Sequence, residues 1–147
     1  MRKYANEVFI TKNVGTKTES TKIQNSSDAH KFISKIFNNE VLDVREEFLV
    51  LFLNRNNITI AWSKISSGGL SGTVVDTRLI FKQALDCLAS SLILAHNHPS
   101  GNLKPSTQDI DITNKIKDGA KLFEMQVMEH LIITSEGYYS FSDEGLL

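Results

Sequence analysis

The 147 residues, 41% of them hydrophobic, suffice for one packed core and fall short of two domains of typical size. A charged fraction of 22% and a formal net charge of −1 exclude both an acidic disordered chain and strong electrostatic capture of DNA. Cys87 is the sole cysteine, so an intramolecular disulfide and a cysteine-based zinc or iron–sulfur site are excluded, and any metal must be held by His, Asp or Glu.

In chain order, residues 1–26 join an apolar patch, Val8-Phe9-Ile10, to a polar run from Thr16 to Lys22 without helical or strand period, and are expected to form a loosely attached arm. No apolar signal-type region follows Arg2 and Lys3, and no stretch approaches the roughly 18 apolar residues of a membrane span, so a soluble, cytoplasmic chain without a membrane partner is expected. Residues 27–147 then read as one domain. Ala29, Phe32, Ile33 and Ile36 hold the spacing of a helical face behind a Ser27 or Asp28 cap. Phe48 to Leu53 is a continuous apolar run of strand length, and with Ile58 to Trp62 it predicts a hairpin whose first strand is buried on both faces.

After the Gly68-Gly69 loop and Gly72-Thr73-Val74, Asp76 to Ala89 predicts a second helix with Ile80, Ala84, Leu85 and Leu88 inward. Ser91 to Ala95 reads as another buried strand. Ser106 opens a third helix with Ile112, Ile116, Ala120 and Phe123 at helical spacing, and His130 to Thr134 and Tyr138 to Phe141 close the chain as strands around a Ser135-Glu136-Gly137 turn. Alternating helices and strands without a repeat predict an α/β (α+β) fold: a mixed sheet flanked by helices.

The chemistry concentrates in Ala95-His96-Asn97-His98-Pro99-Ser100-Gly101. Residues i and i+2 of an extended chain point to one side, so His96 and His98 can present both imidazoles to one point while Asn97 faces away. Pro99 favours an extended His98, and Gly101 permits a sharp turn after it, leaving both rings at the strand rim. Catalytic Zn²⁺ takes three protein ligands and keeps a fourth position for water; His96, His98 and Asp109 would make such a set. Ser106-x-x-Asp109 also reads as a capping box at a helix start, and the two readings are compatible because such a start beside the histidines fixes both side chains near one point.

His96-x-His98, seven residues, Ser106, two residues and Asp109 resemble the His-x-His-x7-Ser-x2-Asp signature of the JAMM metalloproteases, whose fold is the MPN or JAB domain, of cytidine-deaminase-like architecture. His-Asn-His-Pro-Ser-Gly, then Pro105-Ser106 and Asp109, resemble the RadC-type bacterial branch, and the likeness runs from about Ser27 to Leu147. The resemblance implies one Zn²⁺ per chain on His96, His98 and Asp109, and hydrolysis of a peptide or isopeptide bond in which a metal-bound water attacks the carbonyl. It also implies an upstream glutamate as general base, with Glu40, Glu46 and Glu47 as candidates. Adjacent strand residues face opposite sides, so at most one of Glu46 and Glu47 points at the metal. Similar sequences place this acid two positions before an aromatic or aliphatic residue, which favours Glu46. Ser106 would stabilise the oxyanion.

Longer RadC relatives carry a helix-hairpin-helix segment that these residues have no room for, and the net charge gives no support to nucleic-acid binding. The alternative is a JAB scaffold with little or no hydrolysis that recruits a protein or nucleic-acid partner, linked to DNA repair as the RadC name implies. Zinc nucleobase deaminases need Pro-Cys-x-x-Cys, which a single cysteine excludes. HNH nucleases spread their three residues over a hairpin and a helix rather than a tripeptide. His130 is left outside the ligand set, His30 is expected to be solvated, and Cys87 inert. Asn97 and Ser100 are expected to shape the loop or touch substrate.

Overall fold

The computed structural model describes residues 19–68 and 74–147; the Val8-Phe9-Ile10 patch, most of the expected arm and the 69–73 stretch of the glycine loop lie outside the described residues. Strands β1 (Glu47–Leu53), β2 (Thr59–Ser67), β3 (Ser91–Asn97), β4 (Gln126–Thr134) and β5 (Gly137–Ser140) form one sheet in the order β2-β1-β3-β4-β5. β3 and β4 run parallel and the other neighbours antiparallel. Helices α1 (Ser26–Ile33), α2 (Thr77–Asp86) and α3 (Thr107–Leu122) complete the mixed α+β architecture that the alternation of elements predicts.

β1 is apolar at nearly every position because helices cover both faces of the sheet. Leu49, Leu51 and Leu53 join Phe32 and Ile33 of α1 in one core, while Phe48, Val50 and Phe52 join Ile80 and Ala84 of α2 and Ile116 and Ala120 of α3 in the other. β3 divides the same way, with Ile93 and Ala95 toward α1 and Leu92 and Leu94 toward α2 and α3. Each fully buried aliphatic side chain of this kind contributes roughly 1.5–3 kcal/mol of transfer free energy. Gly119 lets α2 lie close to α3, since a Cβ there would stand 2.7 Å from the Phe81 ring.

The parallel pairing of β3 with β4 positions the site. A parallel neighbour requires the chain to cross back over the sheet, and α3 makes that crossing. Its first turn therefore lies at the carboxyl end of β3, where ligands gather in such sheets.

Several boundaries differ from the sequence expectation. The α1 cap is Asn25, whose side chain accepts from the Asp28 backbone N–H, and Ile36 lies beyond the helix although it packs on the α1-side core. Leu85, in the last turn of α2, is 44% exposed, and α2 stops at Asp86, so Leu88 lies beyond it, 73% exposed and with a left-handed φ of 55°. The inward face of α3 is Asp109, Thr113, Ile116 and Ala120; Ile112 is half-buried and Phe123 caps the helix with 43% exposure. Reading apolar residues found Ile116 and Ala120, with Ile112 packed against the same core, and missed Asp109 and Thr113 because half of the stripe is polar. The last part of the expected arm is attached: Lys22 bridges Ile58, the Ile23 N–H donates to the Asn57 carbonyl at 2.8 Å, and Ile23 is buried.

Candidate metal centre

β3 extends two residues past its expected end, so His96 continues the row of Leu92 and Leu94 and faces α3. Phe48, its partner in the β1–β3 register, stacks on the His96 ring with centroids 6.0 Å apart. Across the gap, Ser106 caps α3 in a complete capping box: its Oγ accepts from the Asp109 N–H at 3.1 Å, and the Ser106 N–H donates to Asp109 Oδ2 at 2.6 Å. The Ser106 hydroxyl also donates to Asp109 Oδ2 at 2.7 Å. The capping and site readings of Ser106-x-x-Asp109 therefore describe one arrangement, because the cap aims the carboxylate at the strand end.

His96 Nε2 lies 2.9 Å from His98 Nε2 and 3.1 Å from Asp109 Oδ1, and His98 Nε2 lies 3.4 Å from Asp109 Oδ2. Ligands about 2.0–2.1 Å from a tetrahedral Zn²⁺ stand about 3.3 Å apart, so these separations fit one shared ion. Among the described residues, His96, His98 and Asp109 are the group able to do this. His98 Nδ1 faces the Asn102 carbonyl oxygen at 2.6 Å. A carbonyl only accepts, so Nδ1 donates there, leaving Nε2 to donate to Asp109 when His98 is protonated and to offer a lone pair to the cluster when it is not.

Burial works against ionising Asp109, but hydrogen bonds from His96 and His98, their charge and the Ser106 hydroxyl outweigh it and hold the carboxyl well below the usual carboxylate range. The bond to Asp109 raises His98 above its ordinary value, against burial and with help from the Asn102 carbonyl. An ionised carboxylate whose ion-pair partners, among the described residues, are two imidazoles is an environment suited to a cation.

Glu46 and Glu47 occupy different surroundings. Glu47 is fully buried, with Oε2 2.8 Å from Lys64 Nζ and Oε1 3.2 Å from Arg45 Nε. Glu46 is half-buried at the mouth of β1, where burial raises its carboxyl, the charges of His96 and His98 oppose that, and Asp109 adds to it. Glu40 is exposed in the α1–β1 connection.

Three residues outside the expected site organise it. Asn97 faces the other side of the sheet: its Nδ2 donates to the carbonyls of Leu42 at 2.7 Å and Arg45 at 2.9 Å, and its Oδ1 accepts from the Glu47 N–H at 2.8 Å. It thus grips the backbone on both flanks of Glu46. His130 is fully buried, with Nε2 2.8 Å from His96 Nδ1 and Nδ1 2.6 Å from Thr113 Oγ1. Burial, with the charge of His96 second, pushes His130 well below its ordinary value, so it is neutral. The alternation of β4 and the i+4 spacing of Thr113 from Asp109 were the available signals for these two. His30 is half-buried and stacks on Tyr138 at 4.3 Å, rather than standing in solvent.

A carboxylate from a helix's first turn, meeting two imidazoles at the carboxyl end of the central strand of a mixed sheet, defines an α+β domain with a candidate divalent-metal centre. The sequence profile of the RadC-like JAB domain matches residues 23–146, and the chain belongs to that family. It is 47% identical over 125 residues to a UPF0758 protein of Flavobacterium johnsoniae, covering 85% of this chain and 53% of that protein. A UPF0758 protein of Porphyromonas gingivalis is 48% identical over 104 residues, 70% of this chain and 46% of its own length. The UPF0758 protein YfjY of Escherichia coli is 43% identical over 103 residues, 70% of this chain and 64% of its own length. The chain spans about half the length of the first two of these relatives. No helix among the described residues is long and apolar enough to cross a membrane.

Proposed function

We propose that the chain is a metal-dependent hydrolase of amide bonds, of the peptidase or isopeptidase type, with Zn²⁺ as the metal. The observation that carries this reading is the convergence of His96 Nε2, His98 Nε2 and an ionised Asp109 within 2.9–3.4 Å of one another. Zn²⁺ held by these atoms would supply a Lewis acid that lowers the pKa of a bound water toward neutrality.

The chain's own residues supply proton transfer and charge stabilisation. Glu46 accepts the proton of the attacking water and returns it to the leaving amine; burial raises its affinity for that proton, as a base working near neutrality needs. Asn97 holds the backbone around Glu46, so the carboxyl does not drift with the preceding loop. The Ser106 hydroxyl orients Asp109 Oδ2, and turning from that oxygen frees its proton for the developing oxyanion, a contribution of about 10²–10³ in turnover.

The test is zinc content first, then cleavage of peptide and isopeptide substrates with and without a chelator, alongside DNA binding as a function of salt. Stoichiometric zinc with chelator-sensitive cleavage supports the reading. A full complement of zinc without hydrolysis of either substrate class overturns it in favour of a binding scaffold.

A further inference from the structure

On the face of the sheet opposite His96, a cleft of about 500 Å³ opens between the end of α1 and the turn that joins β4 to β5. That volume is in the range of pockets that hold small ligands or single side chains. Phe37, Leu42 and Ile133, all buried members of the α1-side core, give it an apolar depth. The cleft shares a rim with the histidines, since the Ile133 carbonyl accepts from the His98 N–H at 3.0 Å and the Leu42 carbonyl from Asn97 Nδ2 at 2.7 Å.

The polar lining is rich in acceptors. Ser34 Oγ donates its proton to the His30 carbonyl at 2.8 Å, and Thr134 Oγ1 donates to the Gly137 carbonyl at 3.3 Å. With those protons committed, the two hydroxyls have lone pairs left to offer an occupant, and Asn39 and Ser135 can accept as readily as donate. Glu136 adds a carboxylate that has no ion-pair partner among the described residues. Lys31 and Lys35, one position on from His30 and Ser34, are exposed and do not line the cleft. Burial lowers His30 below its ordinary value, so its ring, stacked on Tyr138, brings no competing charge to the wall. Apolar depth, acceptor oxygens and one free carboxylate together suit a cation on an aliphatic stem, which is the form of a lysine or arginine side chain.

The surroundings of the mouth point to a polypeptide rather than a free amine. β5 is the outermost strand on this side of the sheet, no described strand pairs its far edge, and its first residue, Gly137, lines the cleft. Open main-chain groups along such an edge are what an extended chain pairs with. We propose that this cleft is a docking site for a Lys or Arg side chain of an extended polypeptide lying along the edge of β5. The site needs no metal, so it stands or falls apart from the hydrolase reading.

The test is a titration of the metal-free 147-residue chain followed in ¹⁵N–¹H spectra. The probes are acetyl-Ala-Lys-Ala-amide, its Arg counterpart, the uncharged norleucine counterpart of equal stem length, and butylamine. Saturable shifts at the amides of Ser34 and of Thr134 to Tyr139 are expected with the Lys and Arg peptides, and weaker binding with norleucine and with butylamine. Glu136→Gln keeps the size of the side chain and removes its charge, and should weaken the Lys peptide about two- to fivefold while leaving the norleucine peptide unchanged. Ser34→Trp stands at an exposed cap with a φ of −62° that any residue adopts, and should obstruct the cleft and abolish the shifts, with the rest of the spectrum reporting an intact fold. The proposal is overturned if neither basic peptide gives saturable shifts at millimolar concentration, or if the shifts survive both substitutions. Norleucine binding as tightly as lysine would remove the charge recognition, and butylamine binding as tightly as the peptide would make this a site for free amines.

Discussion

Along the inward stripe of α3, Asp109 and Thr113 face imidazoles, whereas Ile116 and Ala120 share an apolar cluster with Leu92 and Leu94. The same helix crosses the same sheet in both halves, and the same strand supplies both sets of partners, since His96 continues the row of Leu92 and Leu94. The apolar half gains from non-directional burial and tolerates imperfect fit. The polar half must satisfy every donor and acceptor it removes from water, and a single missing partner costs about 1–3 kcal/mol. Stability would be served as well by an apolar stripe throughout. Charge and a hydroxyl on this stripe occur at the end beside His96 and His98, the end to which the proposed function assigns the metal.

Substitutions in the two halves should therefore separate chemistry from stability. The largest effect is expected from Glu46→Gln, which should keep Zn²⁺ and lower amide hydrolysis by about 10²–10⁴; hydrolysis retained in that variant would remove Glu46 from the mechanism. In the apolar half, Ile116→Ala should cost about 2–5 kcal/mol, read as about 2–4 °C of melting temperature per kcal/mol, with Zn²⁺ affinity unchanged. A loss of zinc with normal unfolding in that variant would erase the distinction between the halves.

Asn97→Ala leaves the buried Glu47 N–H without its acceptor, at a cost of about 1–3 kcal/mol. Because Asn97 faces away from the histidines, zinc binding should survive while turnover falls; equal loss of both would show that it acts on the ligands instead. The smallest difference in stability separates the two roles of Ser106. Ser106→Ala should cost about 0.5–2 kcal/mol as a lost cap and Ser106→Gly only a few tenths, yet both should lower turnover alike. Turnover that tracks cap strength instead would leave Ser106 a structural residue.

The fold was legible wherever residues of one character repeat at one period. The unbroken apolar run of β1 announced a strand covered on both faces, and Ser106 announced the start of α3. Leu88 misled because its spacing continued a helix that ends at Asp86, and Leu85 because it falls on the exposed side of that helix's last turn. Thr113 was invisible for a related reason: a threonine on a helix reads as surface until its neighbour across the gap is known to be a buried imidazole. Local alternation put His96 and His98 on one side of the chain, whereas Ser106-x-x-Asp109 taken alone read as a helix cap, and Asp109 joined the histidines only through the three-ligand habit of zinc and the family signature. The partner of His96 could not be read, because His130 lies 34 positions away and reaches it only through the parallel pairing of β3 and β4. The different surroundings of Glu46 and Glu47 likewise rest on a cross-strand lysine, Lys64, which claims Glu47 from β2.

The most direct test is a Zn²⁺ titration of the unaltered chain beside His98→Ala and Asp109→Ala, with stoichiometry and affinity read by competition against a chelator. One ion per chain, lost in both variants, is the expected result. Zinc bound well below one per chain in the unaltered protein, or held undiminished by both variants, would contradict a shared ion on His96, His98 and Asp109.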